Sequence, residues 1–146
     1  LLKKHQLMPE QIVVEVTEQY CNISETDFAN QCRTLQNHGF HMAIDDFGSG
    51  ISNLSMLEIM RPKYLKVSGR FTKHAHRDEN KQKIIANVLS LANCFGISAI
   101  VESIEQPEEW QKVRELGAQL GQGFYFYRPM ATQDLKTLFE HEQIGT

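Results

Sequence analysis

"HMAIDDFGSG", residues 41–50, carries a short apolar run straight into two adjacent carboxylates, Asp45 and Asp46, and then into a loop with two glycines. A brief apolar run bounded by turn residues reads as a buried strand, so residues 41–47 are a strand that ends on a doubled negative charge. Two neighbouring carboxylates taken out of water repel each other and are costly to desolvate. Cations between and beside them remove both objections. The glycines at 48 and 50 let the following loop turn sharply and approach a ligand closely.

Outward from this stretch, strand and helix alternate. "IVVEVT" (12–17) is β-branched and short, a strand. "SETDFANQCRTLQNHG" (24–39) reads as a helix: Ser24 and Asp27 have capping-box spacing, Phe28, Cys32 and Leu35 share a face, and Gly39 stops it. "SNLSMLEIM" (52–60) is a short helix halted before Pro62, and "YLKVS" (64–68) is a strand. Residues 79–95 form a helix with Ile84, Ile85, Val88, Leu89 and Ala92 inward, ended by Gly96. "ISAIV" (97–101) is a strand, and "PEEWQKVREL" (107–116) a helix with Pro107 in its first turn. "GFYFY" (123–127) is the last strand, and Thr132 caps a final helix carrying Leu135, Leu138 and Phe139. Such alternation implies an α/β fold, a parallel sheet covered by helices, whose apolar strands are buried on both faces.

Composition sets the outer limits. A chain of 146 residues suggests one domain. Its 41% hydrophobic and 23% charged residues are those of an ordinary globular protein. The net charge of -3 argues against a broad basic surface for DNA or RNA, but not against a phosphate ligand, because a bound metal supplies positive charge. No stretch approaches the ~20 apolar residues of a membrane span, and the first residues lack the pattern of a signal peptide. Cys21, Cys32 and Cys94 are odd in number and form no CxxC, which disfavours a disulfide framework or a zinc site. They read as reduced thiols in a cytoplasmic protein. The absent start methionine leads to the expectation of a piece of something longer, such as the cytoplasmic domain of a membrane-anchored protein.

Polar residues collect at or near the strand ends: Glu15 with Glu18, Asp45 with Asp46, Lys66, Glu102 with Glu105, and Gln122 entering the last strand. In parallel α/β folds that C-terminal edge is where ligands bind. A ring rich in carboxylates and an amide offers hard oxygen donors suited to Mg²⁺ or Mn²⁺. Adjacent aspartates suit a pair of ions roughly 4 Å apart, the spacing of two-metal phosphoester hydrolysis. A lysine in such a ring is placed to orient a water or to offset charge in the transition state.

"EVTE" (15–18), "DDFGSG" (45–50), Lys66, "ESIE" (102–105) and "QGFYFYRP" (122–129) resemble, in order and spacing, the motifs of the EAL-domain family. The resemblance runs from about Ile12 to Pro129. It implies a (β/α)₈ TIM-like barrel, of which residues 1–146 supply about five βα units of the C-terminal portion, with no internal boundary. It also implies a phosphodiesterase that hydrolyses cyclic di-GMP to linear pGpG with two Mg²⁺ or Mn²⁺ ions. Carried over by position, Glu15, Asp45, Asp46, Glu102 and Gln122 match metal-site residues, and Lys66 matches the lysine that contacts the attacking water. Glu18 matches the glutamate that holds the loop after Asp46, and Glu105 matches a supporting acid. Arg128 and Tyr125 are further candidates for a phosphate or a guanine.

The chain departs from the family pattern in several places. The segment that names the family and the asparagine-bearing strand after it have no counterpart here. Five strands cut from a closed barrel would expose edges and apolar interior, so the segment alone is expected to be inactive and to aggregate, to form a homodimer, or to be completed by a preceding barrel segment. Ser68 stands where members usually have Asp, Ser103 where they have Gly, and Ile51 and Asn53 alter the loop after Asp46. These changes keep two other readings open: a catalytically inactive cyclic di-GMP receptor and a protein-interaction module of the same fold. Taken singly, Asp45–Asp46 fits a solvated turn, Glu105 a helix-start acid and Gln122 plain turn chemistry. His74 and His76 read as solvated loop residues rather than metal ligands, and residues 124–127 as strand core.

Overall fold

The computed structural model describes residues 2–17, 24–49 and 54–142. Glu18, Cys21, Gly50, Ile51 and Asn53, each given a reading above, lie outside the described residues. Among the described residues five strands form one sheet: β1 (Val13–Thr17), β2 (His41–Phe47), β3 (Tyr64–Val67), β4 (Ser98–Val101) and β5 (Leu120–Gly121). They lie side by side in sequence order, and every neighbouring pair is parallel. The connections carry the helices α1 (Glu25–Asn37), α2 (Leu54–Met60), α3 (Gly69–Thr72), α4 (Glu79–Cys94) and α5 (Pro107–Glu115), and α6 (Thr132–Glu142) follows β5.

Local chemistry explains where the helices begin. The Asp27 N–H donates to Ser24 Oγ at 3.1 Å while the Ser24 hydroxyl donates to Asp27 Oδ2 at 2.7 Å, so a cap forms at the predicted place. At α4 the Asp78 carboxylate accepts from the N–H groups of Asn80 and Lys81. The core then forms between strands and helices. Met42, Ile44, Leu65, Val67 and Val101 of the strands are fully buried with Met56, Met60, Ile85 and Val113 of the helices. Ile84, expected inward, is exposed one position off that face.

β2 and β3 pair as Ala43↔Tyr64 and Ile44↔Leu65, but the next pair is Phe47↔Val67. Between them two residues of β2, Asp45 and Asp46, face one of β3, Lys66. This is a β-bulge, the device that re-aims side chains and sharpens local twist. Asp46 takes a left-handed φ of 55° there, a conformation seldom adopted by residues other than glycine.

The predicted last strand is displaced. β5 covers only Leu120 and Gly121, so Gln122 follows a strand instead of entering one, and residues 123–127 are not strand. The cause is a close approach: a Cβ at Gly123 would collide with the main chain of Ile104. The Ile104 N–H donates to Gln122 O at 3.1 Å, the Tyr125 N–H donates to Ile104 O at 2.9 Å, and the chain turns instead of extending. Phe124, Tyr125 and Tyr127 are accordingly exposed, and only Phe126 packs inward, edge-on to Trp110. His76 also differs from expectation, since both of its ring nitrogens are enclosed. His74 is exposed as expected. No helix among the described residues is long and apolar enough to cross a membrane.

Candidate active site at the C-terminal edge of the sheet

The strand ends deliver their polar residues to one hub, the Lys66 ammonium. Lys66 Nζ lies 2.8 Å from Glu15 Oε2, 2.8 Å from Asp45 Oδ1 and 2.9 Å from Glu102 Oε1. These residues come from β1, β2, β3 and the first position after β4, so one side chain binds four consecutive segments of the sheet. The Lys66 side chain is 8% exposed, whereas those of Glu15, Asp45 and Glu102 are 48%, 25% and 15% exposed. The lysine is thus the floor and the acids are the walls of an acidic mouth.

Electrostatics follow from that arrangement. Burial alone would depress the lysine, but hydrogen bonds from Nζ to Asp45, Glu15 and Glu102 outweigh it and hold the ammonium well above its usual range. Glu102 is shifted upward. Burial is the main cause, Lys66 opposes it, and the negative charges of Asp45 and Asp46 add to it.

The other predicted residues are placed differently. Asp46 acts on Glu102 through its charge and lines a cavity of about 600 Å³ with Ser68, Arg70, Lys73, Ser103 and Glu105. Glu105 lies on that wall, outside the Lys66 cluster. Gln122 sits at the sheet edge just after β5, its N–H donating to Val101 O at 2.9 Å and its side chain exposed. Tyr125 and Arg128 are not part of the cluster. Tyr125 packs edge-on to Phe126, and the Arg128 guanidinium lies 4.8 Å from the centre of the Phe124 ring.

In kind, the donors fit a divalent cation: carboxylate oxygens, hard and negatively charged, already in contact with positive charge. In placement they converge on Nζ. Among the described residues no three His, Cys, Asp or Glu side chains stand together at metal-holding spacing.

Two features went unread in the sequence. Ser103 takes a left-handed φ of 57°, and its side chain fills the space above Gly69, where a Cβ would come within 2.5 Å of Ser103 Cβ. Gly69 therefore accommodates the side chain that replaces the usual glycine. Glu109, 1% exposed, accepts hydrogen bonds from the N–H groups of His74 (2.7 Å), Glu105 (3.0 Å) and Gln106 (3.2 Å). Burial would raise its carboxyl, but the donors, His74 foremost, hold it below the ordinary range. Pro107 at the first helical position puts Glu109 at the third, the capping-box place, which was the available signal.

The chain is 34% identical over 125 residues to the probable cyclic di-GMP phosphodiesterase PdeG of Escherichia coli (strain K12), covering 85% of this chain and 24% of that protein. It is 30% identical to the blue light- and temperature-regulated antirepressor BluF of the same strain, covering 86% of this chain and 31% of the relative. Its fold matches that of Klebsiella pneumoniae BlrP1, solved with manganese and cyclic di-GMP, with a TM-score of 0.82 and 36% identity over 88% of this chain and 33% of that one. The chain thus spans about a quarter to a third of each of these proteins. The strands and helices form about five βα units of a TIM-barrel-type α/β fold. The family model described as the EAL domain matches residues 1–129, and the chain belongs to the EAL-domain family.

Proposed function

We propose that this chain is the C-terminal portion of a cytoplasmic cyclic di-GMP phosphodiesterase barrel, with its reaction centre at the Lys66 cluster. The observation that carries this reading is the meeting of Glu15, Asp45 and Glu102 on one buried ammonium at the C-terminal edge of a parallel sheet. Relatives named for cyclic di-GMP hydrolysis, and one structure holding that dinucleotide with manganese, support it.

Glu15, Asp45, Asp46, Glu102 and Gln122 are the residues that would hold Mg²⁺ or Mn²⁺, two ions in this reading. Bound there, the ions would supply Lewis-acid polarisation of the phosphodiester and a nucleophile at neutral pH. The chain's own residues do the rest. Lys66 keeps the acids from repelling one another and orients the attacking water. The Asp45–Asp46 bulge directs two charges into a width of sheet that normally supplies one. Glu105, on the cavity wall, would be a supporting acid, Glu18 would take the family role of holding the loop after Asp46, and Arg128 and Tyr125 would contact the nucleotide. Attack on phosphorus breaks one P–O ester bond and leaves linear pGpG. A preceding barrel segment or a second copy completes the mouth.

The test is hydrolysis of cyclic di-GMP by the full-length protein with Mn²⁺ or Mg²⁺, followed by chromatography. Linear product from the wild type, and loss of at least a hundredfold in kcat in Lys66→Ala, are expected. A second reading, a receptor without turnover, is favoured by Ser68. Its hydroxyl accepts from the Arg70 N–H at 3.4 Å and caps α3 where members usually place a carboxylate. Binding that survives chelation, with no product, would select it. Neither binding nor product would overturn both.

A further inference from the structure

Beyond the last ladder pairs the loops after β3 and β4 must be held together by something other than the sheet. The pairing of these strands ends at Val67↔Val101, and one more main-chain bond follows, from the Glu102 N–H to Val67 O at 3.2 Å. From there the two chains touch once more, where Ser103 packs over Gly69, and then diverge. One continues through Ser68 and α3 to His74, the other through Ser103 to Gln106, and residues of both line the 600 Å³ cavity beside the acidic cluster. Glu109 bridges them. One of its oxygens accepts from the His74 N–H, 35 residues away, and the other accepts from the N–H groups of Glu105 and Gln106.

We infer that Glu109 is a positioning residue: a buried carboxylate that latches the loop after β3 to the loop after β4 and so fixes Glu102 against Lys66. A helix cap alone would need only the Glu105 and Gln106 donors. The bond to His74 is surplus to capping and ties the segment after α3 to the first turn of α5. Burial makes the latch firm, because a carboxylate shielded from water binds its remaining donors strongly, and losing one leaves an unpaired acceptor inside. His74 takes a left-handed φ of 61°, uncommon for a side-chain-bearing residue and consistent with an N–H held in place by a carboxylate of another element. The importance of this residue for turnover rests on the function proposed above, whereas the latch itself does not.

The decisive variant is Glu109→Asp in the full-length protein. Aspartate keeps both oxygens for the α5 cap but is one methylene too short to serve the cap and His74 together. Amide hydrogen exchange needs no reaction. The Glu102 amide, which donates to Val67 O and not to Glu109, should exchange at least tenfold faster in Glu109→Asp, while those of β1 and β2 stay within twofold. In the protein hydrolysing cyclic di-GMP, kcat should fall at least tenfold with KM within threefold. Wild-type exchange at Glu102 in Glu109→Asp would overturn the latch and leave a plain helix cap. Should the aspartate variant fail to fold, Glu109→Gln, nearly the same shape but with one accepting oxygen instead of two, should also speed exchange at Glu102, and wild-type exchange there would overturn the latch. If the wild type shows no hydrolysis, the exchange result still decides the latch, and the failure belongs to the proposed reaction.

Discussion

Met42, Ala43 and Ile44 in β2 have a strand on either side and are buried. Phe124, Tyr125 and Tyr127 follow the short β5, which pairs only with β4 among the described residues, and they are exposed. Both segments are short and apolar or aromatic. What separates them is neighbours: the sheet's middle is covered by α1, α2, α4 and α5, while the region after Gln122 turns away at Gly123. Leu135 and Phe139 of α6 share that fate at 40% and 57% exposure. Hydrophobicity states what a residue would gain by burial, and topology decides whether the partner is there to supply it.

That contrast can be broken or sharpened by measurement. Ile44→Ala should cost about 3 to 4 kcal/mol by urea unfolding, because a fully enclosed side chain leaves a cavity. A loss below 1 kcal/mol would mean the centre packs no better than the edge. Lys66→Met should cost about 3 kcal/mol at neutral pH, since three carboxylates lose their shared cation. Part of that loss should return on acidification as Glu102, whose carboxyl burial pushes up, takes a proton, and a pH-independent loss would point to packing instead.

Glu109 gives the third measurement. Its carboxyl is held below the ordinary range, so the ionised form prefers the folded chain. That stabilisation is complete above the usual glutamate value of about 4.3 and is lost as pH falls through the depressed value. The stability gap between wild type and Glu109→Gln should therefore be widest at neutral pH and close in acid. Finally, Leu135→Ala should change stability by no more than about 0.5 kcal/mol, as exposed positions do. A larger loss would show that another surface covers α6 in solution.

The same contrast explains which features could be read from the sequence. α1 and α5 begin where Ser24 and Pro107 place them, because caps involve residues three or four apart. The cluster was visible for a related reason: each strand end is local, and parallel alternation brings every such end to one edge. The displaced last strand and the Glu109–His74 bond were not visible, because each depends on a meeting decided by the tertiary path. Gly123 turns against Ile104, and Glu109 reaches His74 across 35 residues. The Asp45–Asp46 bulge lies between the two cases. The doubled acid could be read, but its opposition to a single Lys66 is a matter of register between strands.

Lys66 also carries a consequence for how the domain copes with scarcity. A positive charge covalently tethered inside β3 means that the acids need no imported counter-charge while the polypeptide is folding. Chelators should then silence turnover and leave the melting transition almost untouched. Under the proposed function, supply of the metal would then switch the chemistry alone, with the architecture waiting intact.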